Sequence, residues 1–215
     1  MGFALTTADY VDYMKLAYAR IHENGDYVTA LDAATGDGDH WTNMDSGFGK
    51  LMEMTDELCE LGLSDAMKKI GMTMMSVIGG SGGALYGSAY LEAAKVLQGC
   101  DAIDSGTLCS MLEAMLAGIM KRGKGVPGDK TMIDALYPAV QQYKTCVTEG
   151  IGERETLAAV KQAAIDGAQS TLDMEAVRGR AYYQSNKGVG HLDPGAVTMA
   201  YQIETLAGYI IASKL

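Results

Sequence analysis

The chain lacks the spacings that would make a zinc centre: Cys59, Cys100, Cys109 and Cys146 form no CxxC pair, and His22, His40 and His191 are scattered. Free thiols in a reducing cytoplasm are the simplest account of the four cysteines. Basic residues are scarce, 17 Lys and Arg against 27 Asp and Glu, and the formal net charge of −10 argues against a nucleic-acid partner. No basic leader precedes an apolar stretch at the start, where Asp9 and Asp12 intervene, so the expected location is cytoplasmic. Gly2 and Thr6 match a myristoylation pattern literally, but no basic patch follows to supply a second membrane signal. Residues 70–91 carry no charge and are long enough to span a bilayer. Their six glycines fit two buried helices joined by a glycine turn better, and no membrane association is expected.

Runs of β-branched residues alternating with polar ones are also missing, and the apolar spacing is helical nearly throughout. It predicts eight helices, at 7–24, 44–61, 65–77, 84–97, 106–121, 132–148, 155–169 and 194–214. Ser64 is placed to cap the third, and Asp193 before Pro194 to open the last. Pro138 falls inside the sixth and predicts a kink there. In the fifth, Leu108, Met111, Leu112, Met115 and Ile119 recur at steps of three and four, a core stripe. The 15 methionines follow the same helical spacing, which assigns them to packing rather than to a promiscuous groove. No linker, internal repeat or low-complexity tract interrupts the chain, so residues 1–215 are expected to form one all-α domain.

Chemistry is then sought in the longer connections, 28–43, 78–83, 122–131 and 178–193. The first sets Asp32, Asp37 and Asp39 around Gly36 and Gly38. Carboxylate oxygens suit Mg²⁺ or Ca²⁺, and magnesium completes its shell with phosphate oxygens, so the loop points to phosphate chemistry; a solvated Asp/Gly turn has the same composition. A calcium EF-hand fits poorly, since counting from Asp37 places Thr42 and Phe48 where glycine and glutamate are needed. In the second, the glycines of Gly79 to Gly83 precede a helix and can turn their amides onto a phosphate, or merely allow two helices to pack at a sharp corner. In the third, Gly123, Gly125 and Gly128 spell GxGxxG, and 123–131 nearly spells a Walker A loop, spoiled by Asp129. Both need a preceding strand, and here a helix leads in, so neither nucleotide-binding fold is supported. Asp129 reads as a cap of the next helix. The fourth holds Arg180, Lys187, His191 and Asp193: arginine can fork onto phosphate, though a loop arginine is commonly a solvated ion pair, and a lone loop histidine is commonly solvated.

Taken together, GDGDHWTNM at 36–44, GGSGGALYG at 79–87, GDKTMIDAL at 128–136, GRA at 179–181 and DPGA at 193–196 resemble the ADP-binding L subunit of dihydroxyacetone kinase, in the right order over most of the chain. The resemblance implies a barrel of eight antiparallel helices with ADP or ATP and two Mg²⁺ in loops at one mouth. It makes Asp32, Asp37 and Asp39 the metal ligands and sets His40 and Asn43 beside the phosphates. Ser81 and the amides of Gly80, Gly82 and Gly83 would meet phosphate oxygens, Leu85, Thr131 and Met132 the adenine, and Arg180 a phosphate, while Asp193 and Gly195 form the closing loop. The sequence departs from the family at Trp41 (usually Gly), Ser46 (usually basic), Gly82 (usually Ser) and at 184–187, QSNK in place of LGER-like residues. The reading is a kinase subunit for dihydroxyacetone or a related ketose, working by metal-assisted in-line phosphoryl transfer without a protein nucleophile. Its partners are a ketose-binding subunit and, where ATP is not used directly, a phosphotransferase-system donor protein. The alternative is a non-catalytic, ADP-loaded sensor that binds a transcription regulator.

Overall fold

The computed structural model describes residues 2–215 and contains ten α-helices: α1 (Thr7–Glu23), α2 (Gly25–Thr35), α3 (His40–Met52), α4 (Thr55–Cys59), α5 (Leu63–Val77), α6 (Gly80–Val96), α7 (Ser105–Gly123), α8 (Ile133–Glu149), α9 (Glu153–Ser170) and α10 (Pro194–Ser213). Among the described residues, extended pairing is limited to one bridge between Leu5 and Ile103. The helices begin where local chemistry starts them. Thr6 and Asp9 exchange hydrogen bonds in a capping box at α1, and Asp193 accepts from Ala196 N at 2.7 Å, with Pro194 at the first position of α10.

Eight helices close a ring. α5, α6, α7, α8, α9 and α10 pack successively, α10 packs on α1, α1 on α3, and α3 on α5. This is the expected all-α barrel of eight antiparallel helices. α2 lies outside the ring against α3 and α10, and α4 against α1 and α5. One continuous apolar cluster runs through the barrel from Phe3 to Ile210, with Tyr10, Tyr13, Tyr86 and Tyr90 buried in it. The α7 stripe Leu108, Met111, Leu112, Met115 and Ile119 is buried as expected, and so are Met14, Met44, Met67, Met74 and Met199. No described helix is long and apolar enough to cross a membrane. Residues 70–91 instead form the end of α5, a turn at Ile78–Gly79 and most of α6.

All eight expected segments are helical, but four details differ. α2 occupies most of what reads as a loop from residue 28. Its buried residues are only Val28, Asp32 and Thr35, too weak an apolar stripe to signal a helix, and it is held by packing on α3 and α10. The expected 44–61 helix begins earlier, at His40, and breaks at Glu53 and Met54, where Met54 N turns back to Leu51 O at 3.0 Å. α6 begins at Gly80, so the glycine segment is the first turn of a helix rather than a loop before it. Ser64 caps nothing: Gly62 holds that position for α5, and the Ser64 hydroxyl donates to Ala94 O at 2.8 Å, joining α5 to α6.

A close approach of α9 to α8 coincides with one proline. α8 runs on through Pro138, which has no N–H to return to the Asp134 carbonyl four residues earlier. α9 places Gly167 there, and a Cβ at that position would collide with the Asp134 carbonyl oxygen and lie 2.7 Å from Pro138 Cγ. Gly167→Val should therefore lower stability by about 1–3 kcal/mol through overpacking, read as a lower urea midpoint with an unchanged slope. A wild-type midpoint would show that α8 and α9 do not meet at this point.

Candidate functional site

The loop between α2 and α3 is built around one carboxylate. Asp32, in the last turn of α2 and 9% exposed, accepts the His40 N–H at Oδ2 over 3.0 Å and so pulls the start of α3 back onto the end of α2. Only a small residue fits inside that bend: a Cβ on Gly36 would lie 2.7 Å from Asp32 Oδ1, and Gly38 sits at φ +76°. The turn then presents Asp37 and Asp39 beside Asp32, with carboxylate oxygens of all three within 4.8 Å of one another. Such a cluster of like charges is unfavourable without a cation nearby. Arg180 supplies one, at 2.6 Å from Asp37 Oδ2. The donor set, three hard oxygens in a compact group, fits Mg²⁺.

The carboxylates face a cavity of about 390 Å³ at one mouth of the barrel, lined from all four loop regions. The same cavity is lined by the N-terminus of α6, capped by Gly79, through Gly80, Ser81 and Gly82. Their N–H groups have no partners within the helix, and the helix dipole adds positive potential, which suits an anion. Asn43 borders the same wall, close enough that a Cβ on Gly79 would meet its Oδ1 at 2.6 Å. Gly83 differs from its neighbours. It is buried and off the cavity, and a Cβ there would strike the Ile78 carbonyl. Leu85, Ile119, Met132 and Ile133 form an apolar side, next to Thr131, and Asp193 and Gly195 complete the rim at α10. His40 also lines the cavity; its Nε2 lies 2.9 Å from Thr198 Oγ1, and burial lowers its pKa against the opposing pull of Asp32 and Asp39.

Two cations of the cavity wall, Lys130 and Arg178, escaped the sequence reading. Lys130 is 2% exposed, adopts φ +61°, and donates to the Thr171 carbonyl and, at 2.5 Å, to the His191 carbonyl. It clips the closing loop to the start of α8, and burial lowers its pKa while Asp193, Asp173 and Asp134 oppose the shift. Arg178 Nε donates to Asp129 Oδ2 at 2.9 Å. Asp129 is accordingly not a cap of α8: its carboxylate takes Arg178 and Val126 N, while Asp134 accepts Gly128 N and Thr131 N and fixes the loop. GDKT signals that this segment matters, but a buried lysine at positive φ is not written in its composition. His191 has an exposed side chain and Lys187 pairs with Glu175 at 2.8 Å, both off the cavity. Trp41 also points elsewhere, its Nε1 donating to Ile21 O at 3.0 Å and its ring packing 2.8 Å from where a Gly25 Cβ would be.

A helical barrel whose mouth holds a carboxylate cluster and a helix N-terminus on one cavity is chemically suited to a phosphate ligand carried with a cation. The chain belongs to the DAK2 domain family, whose model matches residues 34–208. It is 35% identical over 182 residues to the ADP-binding subunit DhaL of the PEP-dependent dihydroxyacetone kinase of Escherichia coli (strain K12), covering 85% of this chain and 87% of that protein. To the DhaL subunit of dihydroxyacetone kinase 1 of Listeria innocua it is 40% identical over 181 residues, 84% of this chain and 85% of that one. Among solved structures, the dihydroxyacetone kinase from C. freundii in complex with AMP-PNP and Mg²⁺ superposes with a TM-score of 0.71 at 27% identity, over 92% of this chain. The match spans about a third of that longer protein, 33% of its chain.

Asp193 gives the cavity a pH signature. Burial, with Asp134 and Asp32 adding repulsion, raises its carboxyl from 3.8 to about 7, against the Ala196 N–H and Lys130. Between those values the folded chain holds a proton that the unfolded chain has lost. Its stabilising contribution is therefore complete below 3.8 and disappears as pH rises through about 7. Asp193→Asn keeps a capping oxygen and does not titrate. In nucleotide-free protein with EDTA, the melting temperature of wild type relative to this variant should fall between about pH 4 and about pH 8. A flat difference would place the Asp193 carboxyl in the ordinary range.

Proposed function

We propose that this chain is the nucleotide-binding subunit of a kinase for dihydroxyacetone or a related small ketose, a single domain over residues 1–215 acting in the cytoplasm. The observation that carries the reading is that Asp32, Asp37 and Asp39 and the first turn of α6 line one cavity, in a chain whose relatives are ADP-binding subunits. Asp32, Asp37 and Asp39 would hold two Mg²⁺ ions, which when bound neutralise phosphate charge and orient the transferred group. The amides of Gly80 and Gly82 and the Ser81 hydroxyl take phosphate oxygens, with His40 and Asn43 at the edges. Gly83 serves by letting α6 pack on the end of α5. Leu85, Thr131 and Met132 form the adenine side, and Ile119 adds apolar surface there. Arg180, 2.6 Å from Asp37 Oδ2, exchanges its carboxylate partner for phosphate, and Asp193 and Gly195 close the rim.

The chain's own groups thus position and screen; none is required as a nucleophile, since phosphoryl transfer is governed by alignment and charge. The acceptor comes from a ketose-binding subunit, and the phosphoryl donor is ATP or a phosphotransferase-system protein that recharges bound ADP. The subunit names of the relatives support this division of labour.

Asp37→Ala removes a metal ligand and leaves the phosphates facing fewer compensated charges, so ADP affinity in excess Mg²⁺ should fall at least about tenfold by calorimetry, the equivalent of about 1.4 kcal/mol. Unchanged affinity would sink the metal assignment. The isolated chain with ATP should phosphorylate dihydroxyacetone negligibly, and adding a ketose-binding subunit from the same source should restore transfer. Robust turnover by the chain alone would overturn the split-subunit reading.

A further inference from the structure

The segment 184–187, where the sequence departs from its family, proves to be the most heavily tied part of the closing loop. Gln184 Nε2 donates to the Ala34 carbonyl at 2.9 Å, across 150 residues of sequence. Ala34 lies in the last turn of α2, whose final four carbonyls have no donors within the helix. That same turn delivers Asp32 and leads into Asp37. Gln184 therefore binds the end of the element that shapes the carboxylate cluster.

Arg180 and Gln184 behave as one unit, because a 3-10 turn at Ala181–Tyr183 joins them. Tyr183 N bonds Arg180 O and Gln184 N bonds Ala181 O, each at 3.1 Å. On the far side, Asn186 accepts from Gly188 N at 3.1 Å and donates to Val189 O at 3.0 Å, and Lys187 reaches Glu175 at 2.8 Å. Gly188, at φ +74°, brings the loop flush onto the site: a Cβ there would sit 3.1 Å from both Ala181 Cβ and Lys130 Cε. Among the described residues the other polar tie of this loop to the α2–α3 turn is the Arg180–Asp37 ion pair, whose side chains are 66% and 37% exposed. A pair that exposed holds little by itself. The part-buried amide bond of Gln184 is the firmer attachment, and it leaves Arg180 free to change partners.

We propose that Gln184 is a positioning residue of this site: by fastening the closing loop to the last turn of α2 it keeps Arg180 over the carboxylate cluster and slows release of bound nucleotide. The inference rests on the nucleotide-binding reading above. Gln184 touches neither metal ligands nor cavity, so its effect is on the loop that carries Arg180.

Two variants of the full chain separate positioning from folding. Gln184→Met keeps the length without a donor, and Gln184→Glu keeps the shape but turns a charge onto a carbonyl. With excess Mg²⁺, release of N-methylanthraniloyl-ADP chased by ADP should quicken roughly three- to tenfold, the equivalent of one lost net hydrogen bond, and more for Glu than for Met. Association should stay within about twofold, since lost contacts act mainly on dissociation. Unchanged release from both variants, whether their melting temperatures fall or not, overturns the proposal. Hydrogen exchange without nucleotide gives a second reading: Gln184→Met should speed exchange at 180–190 and also at 35–39. Acceleration confined to the loop refutes the tie. A wild-type chain that takes up no analogue refutes the nucleotide reading and the effect on release with it, while the exchange result still decides whether Gln184 couples loop to helix.

Discussion

Crowding three carboxylates into one small volume is the constraint on which the mouth of this barrel depends. Asp32 cannot be at once 9% exposed and charged without donors, and the His40 N–H is the donor the fold gives it. That single bond sets the angle between α2 and α3, and through it the positions of Asp37 and Asp39. The glycines at 36 and 38 follow from it, one because the Asp32 oxygen leaves no room for a side chain and the other because the chain must turn left-handed. The remaining negative charge is left to Arg180 and to whatever cation the cluster takes.

The rest of the mouth answers that charge with backbone dipoles and buried polar contacts. α6 points its free amides at the cavity, and its glycines serve two ends at once: Gly80 and Gly82 open the wall to a ligand, while Gly83 lets the helix close on α5. Across the cavity, Lys130 spends its ammonium on two carbonyls rather than on a carboxylate, so it orders the closing loop without cancelling Asp193. Asp193 in turn is held by helix capping in a site that disfavours its charge. A charge-rich site is thus kept rigid chiefly by side chain to backbone bonds, which fix position without fixing net charge.

The sequence departures acquire different meanings in three dimensions. Trp41 is not a cavity residue: its indole bonds the end of α1 and packs over Gly25, so a bulky ring after the metal loop is accommodated by the glycine that starts α2. Gly82 does line the cavity, where it presents no side chain. The 184–187 segment ties the closing loop down.

The sequence by itself determined the helical class, six of the eight ring helices to within two residues at their starts, the methionine-lined core and the composition of the metal loop. It could do so because those features are periodic or contiguous: an apolar stripe repeats every three or four residues, and a cation site can be built from carboxylates five and two residues apart. Of the fourteen cavity positions that family resemblance and loop chemistry singled out besides Gly83, all line one space. Only the tertiary structure decided that α2 is a helix, that the glycine segment is the start of α6, that Lys130 and Arg178 line the cavity, and that Gln184 reaches back to α2. Each of these rests on a partner far along the chain: α10 for α2, Thr171 and His191 for Lys130, Asp129 for Arg178, Ala34 for Gln184. Local propensity is too weak to report such contacts, because the energy that fixes them comes from burial and hydrogen bonds made only once the barrel has closed.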